Sequence, residues 1–482
     1  MSRRVHLRAA ALALVVAALA VVVETPHAQT RQVREPEWAR LEAETLEHFQ
    51  NILRLDTSNP PGNETAVVEY LSAVFTREGI PFQTFALDPK RANLVARLKG
   101  TGKKRPILIM GHTDVVTVDA KKWTFPPFSA TRDGGYIYGR GSLDDKPHVV
   151  AGLMTLLELK RLTVPLDRDV IFLAEAGEEG ATRVGIDFMT EQHFSEIDAE
   201  FCLAEGGTVR RLNGRVQFAS VGTTEKVPRT IELIAKGPSA HGSVPIATNA
   251  VGHLAKAVAA VNAWKPPIRL NETTRAYFER MIGVSSREDG ARFRALLGTD
   301  ERAREDAATY FEEHMPAYAA PLRTTVSPTM LQAGLRYNVI PSEARATLDV
   351  RLLPDDDPNA LVETLRKVIN DPTVEVTLAP RDGLPRPPGV SGIETDAFRM
   401  IQTASAQNYD TVTIPQMGAG ASDNAQMRSK RVQCYGVGPA VDAEDAPKGF
   451  GAHSDQERIL ESELHRFVRF SWDVVVGLAR AR

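Results

Sequence analysis

Short apolar runs alternate with longer segments of helical periodicity through the first half of the chain. "RPILIMGH", "RDVIFLAEAG" and "AEFCLAEGG" each read as a buried strand followed by a polar turn. Between the first two, "HVVAGLMTLLELKRL" has the spacing and length of a helix packed on the sheet they form. Near the C-terminus "KRVQCYGVGP" is a further strand and "ESELHRFVRFSWDVVVGLARAR" a closing helix. This alternation predicts an α/β fold around a central, mostly parallel sheet.

The middle of the chain has another rhythm. "VPRTIELIAKG" alternates as a strand with one exposed face, and "ATNAVGHLAKAVAAVNAW" is helical. "SEARATLDVRLLP", "NALVETLRKVI" and "TVEVTLAP" then read as strand, helix, strand. Such a succession predicts a small α+β unit inserted into the larger domain over residues 222–383. The polar, charged stretch 265–320 is expected to be a helical elaboration of that insert, with no chemistry assigned to it.

Composition changes this picture little. A chain of 482 residues is long for one core, so two domains are the natural expectation. Hydrophobic residues at 43%, charged residues at 25% and a formal net charge of -3 describe a soluble globular protein without the basic face that nucleic acid requires. The N-terminus departs from this. A basic start, an apolar run from Ala9 to Val23 and a small residue at Ala28 have the layout of a secretory signal peptide over 1–28. The apolar run is short for a membrane span of about 20 residues. A periplasmic or secreted protein beginning near Gln29 is therefore expected, with an uncleaved leader acting as an anchor as the alternative. "SRRVHLR" loosely resembles a twin-arginine export signal, with His6 in place of the usual aromatic. Cys202 and Cys434 both lie in apolar runs and are expected to be buried free thiols.

Three predicted strands end in side chains able to bind metal. His112 and Asp114 follow the first, Glu178 and Glu179 the second, and Glu205 the third. Open α/β sheets bind ligands beyond the carboxyl ends of their strands, so these groups are expected to converge. "YGRGSLDDK" adds Asp144 and Asp145 on a glycine-rich turn before a helix, and "GFGAHSDQ" adds His453 on a late loop. Carboxylates gathered at one site are costly to bury unpaired, and a divalent metal resolves the conflict. Imidazole with carboxylate suits zinc, with cobalt or manganese as substitutes. Taken singly, an "HTD" or an "EE" is commonplace; the ordered set at strand ends carries the reading.

The segments "GHTDVV", "YGRGSLDDK", "AGEEG", "AEGG", "SAHGSVP", "NVIP", "DVRLLP", "GASDN" and "GFGAHSD" run in order from residue 111 to 455. In this the chain resembles the dinuclear-zinc peptidase/deacylase family of glutamate carboxypeptidase, aminoacylase, acetylornithine deacetylase and succinyl-diaminopimelate desuccinylase. "TTVSPTMLQAGLRYNVIP" and the long insert look nearest to its carboxypeptidase S-like and N-acyl-amino-acid hydrolase branch. The resemblance implies a zinc-peptidase-like catalytic domain over 29–221 and 384–482, and a ferredoxin-like lid and dimerisation domain over 222–383. It further implies two zinc ions per subunit, His112 and Glu205 binding one, Glu179 and His453 the other, and Asp144 bridging both. Asp114 would hold the His112 imidazole, Glu178 would be the general base, and the peptide between Asp144 and Asp145 would be cis.

In the lid, His241 matches a histidine that reaches a neighbouring subunit's site to stabilise an oxyanion. Asn338 and Arg351 match substrate-holding positions, and Gly420 and Ser422 fall in the glycine-rich run Gly418 to Asn424 that would line the substrate pocket. The start of that run departs from the family's usual pattern. Plain alternatives stand beside these roles: turn chemistry for Asp114 and Asp145, a surface histidine, a turn asparagine and an ion-paired strand arginine for the lid residues.

The resemblance thus implies an exported dinuclear zinc hydrolase acting on small amides that carry a free carboxylate, and a homodimer formed through the insert. Glutamate at position 205 is associated more with deacylases than peptidases, so N-acyl amino acids come first and carboxypeptidase or dipeptidase action second. A non-catalytic binding protein of the same fold is the third reading. No stable membrane insertion is expected, and the His-Glu-x-x-His helix of single-zinc proteases does not occur in the sequence.

Overall fold

The computed structural model describes residues 34–380 and 386–481. The leader expected over 1–28 lies outside the described residues, as does the expected domain boundary at 383. Strands Val170–Glu175, Ile107–His112, Phe201–Ala204 and Gln433–Gly436 lie side by side in that order, all parallel. They read as continuous apolar runs because both faces of the sheet are covered. Alternate residues serve the two sides: Ile109, Phe172 and Leu203 pack with Val149, Phe398 and Phe467 of the covering helices. Leu108, Leu173, Cys202 and Cys434 face the other way, toward Phe188, Met189 and Met427. The two cysteines are free, buried and directly opposite one another in adjacent strands. Antiparallel pairings on both flanks, with further parallel ones beyond, complete a mixed, ten-stranded sheet.

The insert is a four-stranded antiparallel sheet ordered Thr325–Ala333, Glu343–Leu352, Val227–Lys236, Val374–Leu378. Helices Ala250–Ala263 and Pro358–Ile369 cover one face, burying Leu254, Val261, Leu361 and Leu365 against Ile231, Leu233, Leu348 and Val350. Strand Thr325–Ala333 was not foreseen; it is an edge strand whose second half is exposed, so it lacks the apolar alternation of its neighbours.

Two details differ from the expected organisation. Strand Arg215–Glu225 stays hydrogen-bonded within the main sheet as far as the Glu225–Gly418 pair, so the chain crosses into the insert at Lys226 rather than at 222. Residues 265–320 are helical, but they do not extend the insert's core. Helices Glu272–Met281, Arg287–Leu297 and Glu301–His314, capped by Asn271, Ser286 and Asp300, gather Phe278, Phe293 and Phe311 into a core of their own. That core closes over Phe218 and Ile414 of the main sheet, and Arg280 Nη1 donates to Thr413 O at 2.9 Å. Among the described residues, no helix is long and apolar enough to cross a membrane.

Candidate metal centre

His112 closes its strand, and Thr113 N donates to Glu175 O at 2.8 Å, which ties the following turn to the end of the neighbouring strand. Beyond Glu175 the chain turns at Gly177, whose φ of +77° is left-handed and whose position would bring a β-carbon to 2.4 Å from Ala181 O. Glu178 and Glu179 come next. Both of their backbone N–H groups donate to Asp114, Glu178 N to Oδ1 and Glu179 N to Oδ2, each at 3.1 Å. Asn59 Nδ2 donates to the same carboxylate at 2.8 Å. His112 Nδ1 lies 3.0 Å from the Asp114 backbone oxygen and 3.4 Å from its carboxylate. Asp114 therefore orients the imidazole and also fixes the loop that carries both glutamates, which the sequence did not reveal.

Asp144 sits between the two histidines. Its Oδ1 is 2.9 Å from His112 Nε2 and its Oδ2 is 3.2 Å from His453 Nε2. Glu179 Oε1 lies 2.8 Å from His453 Nε2, and Glu205 Oε2 lies 3.9 Å from His112 Nε2. Two groups result that share one carboxylate: His112, Asp144, Glu205 and Asp144, Glu179, His453. In each, one donor atom per residue falls within 4.8 Å of the others, and Glu178 forms a third such group with His112 and Glu179. Asp145 turns away, accepting from His112 N at 3.2 Å and meeting His148 Nδ1; the peptide joining it to Asp144 is cis.

The charges of this cluster compete. Burial opposes a charge on His112, but hydrogen bonds to Asp114 and Asp144 outweigh it and push the imidazole well up. Burial pushes Asp144 up, while His112 and His453 together hold it far below the usual carboxylate range. Glu205 is pushed well up by burial and by the charges of Asp144 and Glu178. Glu178 is raised to about 8 by burial and by Asp423, against the pull of Arg386. Hydrogen bonds to Asp144 and Glu179 raise His453 to about 10. Half-buried carboxylates that repel one another, with imidazole nitrogens turned toward the same point, are a donor set that suits divalent cations.

Three supporting residues escaped the sequence reading. Glu457, fully buried, accepts from Leu143 N at 2.7 Å and Asp144 N at 3.2 Å, and its other oxygen accepts from Arg140 Nη1 at 2.6 Å. It thereby holds the turn that presents Asp144. Arg386 Nη2 donates to Glu178 Oε1 at 2.9 Å. Glu225 accepts from Ser422 N at 2.5 Å and from Arg428 Nη1 at 2.8 Å, which pins the glycine-rich loop. That loop, with Gly420 and Ser422, lines a cavity of 320 Å³ that begins at Glu205.

The lid residues lie elsewhere. Ala240–His241 pairs with Val339–Ile340, and Gly242 N donates to Asn338 O at 2.7 Å, so His241 and Asn338 are neighbours on an exposed part of the insert. His241 Nδ1 is 2.6 Å from Ser243 Oγ. Arg351 is gripped through Nε and Nη2 by Asp349, at 2.8 and 3.1 Å, which is the ion-paired strand arginine of the plain alternative. The contacts of these three residues run within the insert, and the structure does not bring them to the Asp144 cluster.

Residues 108–475 match peptidase family M20/M25/M40, and the chain belongs to that family. It is 33% identical over 331 residues to the probable carboxypeptidase S-like 2 of Dictyostelium discoideum, an alignment covering 67% of this chain and 62% of that protein. It thus spans less than two thirds of that relative's length. It is 26% identical over 444 residues to the human N-fatty-acyl-amino acid synthase/hydrolase PM20D1, covering 90% of this chain and 86% of the relative. The fold is shared with the crystal structure of the M20 family metallo-carboxypeptidase Sso-CP2 from Sulfolobus solfataricus, with a TM-score of 0.67, 19% identity and coverage of 90% and 98%.

Proposed function

We propose that the chain is a dinuclear, zinc-dependent amidohydrolase acting on small amides that carry a free carboxylate. One observation carries this reading: Asp144 offers one oxygen to the His112 group and the other to the His453 group, so a single carboxylate joins two sets of metal donors. His112, Asp144 and Glu205 would hold one ion, and Asp144, Glu179 and His453 the other. Ions bound there supply Lewis acidity, lowering the pKa of water and polarising a carbonyl.

The rest of the chemistry belongs to the chain's own side chains. Glu178 lies beside both ion-binding groups without completing either, and it takes the proton of the attacking water on its carboxylate. Arg386 donates to its Oε1, leaving the other oxygen for a proton that must then be returned to the leaving nitrogen. Asp114 keeps Glu178 and Glu179 at their posts through their backbone N–H groups. The cavity beside Glu205, bounded by the glycine-rich loop, gives the substrate room next to the cluster.

Among substrates, N-acyl amino acids are favoured. Glu205 supports deacylation, and the name of the human relative points the same way. Release of C-terminal residues from short peptides is the second reading, favoured by the carboxypeptidase-like relative from Dictyostelium. Export through the leader over 1–28 is part of the proposal. So is a homodimer through the insert, where Met330 and Leu331 on the edge strand and Val251 on the helix stand exposed. His241 would then serve the oxyanion of the neighbouring subunit's site. A panel of N-acyl amino acids and dipeptides, assayed with and without a chelator, tests the reading. Chelator-sensitive deacylation is expected, and chelator-insensitive turnover would overturn it.

A further inference from the structure

Arg386 belongs to the stretch of chain that returns from the insert to the main domain. Just beyond it, Gly389 O accepts from Thr224 Oγ1 at 2.7 Å and Ser391 N donates to Thr223 O at 2.8 Å, so the return runs alongside the outgoing strand. The residue is 5% exposed. Its two terminal nitrogens go to carboxylates on two different loops: Nη1 donates to Asp423 Oδ1 at 2.8 Å, and Nη2 to Glu178 Oε1 at 2.9 Å. Asp423 is itself buried and directly follows Ser422 of the substrate-pocket loop.

Asp423 Oδ2 is buried without a hydrogen-bond partner, yet the second terminal nitrogen of Arg386 does not turn to it. The second nitrogen reaches the group that moves the proton. A planar guanidinium presents its donors as a rigid fork, so fixing one end on Asp423 fixes where the other end can hold Glu178. Without it, Glu178 would face the like charges of Asp423 and Glu179, and the carboxylate would swing away from them. With both terminal nitrogens committed to protein carboxylates, Arg386 is poorly placed to grip substrate.

We infer that Arg386 is a positioning residue for Glu178, anchored by Asp423, holding one carboxylate oxygen so that the other is presented for proton transfer. The inference rests on the proposed role of Glu178 and adds to it a residue outside the donor set.

The test compares Arg386→Ala, Arg386→Lys and Glu178→Ala in the zinc-loaded full-length protein. Displacement of a reacting group by about 1 Å costs on the order of 10²-fold in rate, and a loss of that size in kcat is expected for Arg386→Ala, with KM and zinc content little changed. Arg386→Lys should fall between, and free guanidinium at sub-denaturing concentration should restore part of the Arg386→Ala rate. A crystal structure of zinc-loaded Arg386→Ala should show Glu178 displaced, with Glu179 and His453 still on the metal. Wild-type kcat in Arg386→Ala, a loss confined to KM, or an undisplaced Glu178 would each overturn the inference. Full activity of Glu178→Ala would instead overturn the reading of the site beneath it, and the two failures are therefore separable.

Discussion

Glu178 and Glu179 are adjacent in the chain, yet their carboxylates go to different partners. Glu178 Oε1 accepts from Arg386, while Glu179 Oε1 lies 2.8 Å from His453 Nε2. On the proposed reading, adjacency divides labour between a proton carrier and a metal ligand. Glu178→Ala is expected to keep its metal and lose about 10²–10⁴-fold in kcat, the range of general acid–base catalysis. Glu179→Ala should instead weaken metal binding, read as zinc retained after dialysis. Equal zinc loss in both variants would contradict the division.

Asp114 should matter as much as a ligand although it belongs to none of the three candidate metal groups. It accepts from Glu178 N, Glu179 N and Asn59 and lies beside the His112 ring. Asp114→Ala is expected to cost about 10–100-fold in metal affinity or activity, the usual effect of removing a partner behind a ligand. Zinc titration of the apoprotein with a chromophoric competitor measures it. Wild-type affinity together with wild-type kcat would refute the role.

Gly177 sets the turn into the glutamate pair. Its φ of +77° and the 2.4 Å that would separate a β-carbon from Ala181 O leave no room for a side chain. Gly177→Ala should lower both thermal stability and zinc content, because the loop must shift to relieve the contact. A variant that melts and binds zinc like the wild type would show that the turn tolerates the change.

Lys226 offers a prediction in pH. It lies at the crossing into the insert, with Nζ donating to Ala320 O at 2.8 Å and Thr325 Oγ1 at 3.1 Å. Burial, with a smaller push from Arg351 and against the pull of Asp356 and Asp349, lowers its pKa from 10.5 to about 7. Between those two values the unfolded chain binds more protons at this residue than the folded one, so its contribution makes stability rise with pH across that window. Lys226→Met should remove this rise, and the stability difference between wild type and variant, from denaturant melts at several pH values, should grow in the wild type's favour from about pH 7 upward. A difference that does not change with pH would refute it.

The strand ends were legible because a parallel sheet covered on both faces must be written as unbroken apolar runs, and ligands placed just after them stand out. His112, Asp144, Glu179, Glu205 and His453 all come from such ends or from glycine-rich turns, and the fold draws them together. Arg386 and Glu457 were not legible. They act on Glu178 and Asp144 across 208 and 313 residues of sequence, and nothing local to "LPRPP" or "SDQER" advertises those partners. The helices of 265–320 were read as helical but assigned to the wrong neighbour, since Phe278, Phe293 and Phe311 form an apolar face without saying which sheet it covers. The exposed strand Thr325–Ala333 carries too few buried positions to announce itself.

The central claim is that one carboxylate, Asp144, joins two metal sites. The most direct test is to strip the purified protein of metal, add zinc back in steps, and follow bound zinc and N-acyl amino acid hydrolysis together, in wild type and Asp144→Ala. Wild type should bind two ions per chain and regain activity as they fill, whereas Asp144→Ala should lose affinity for both. Metal-free protein that still hydrolyses its substrate, or an Asp144→Ala variant that binds both ions as tightly as wild type, would contradict the account.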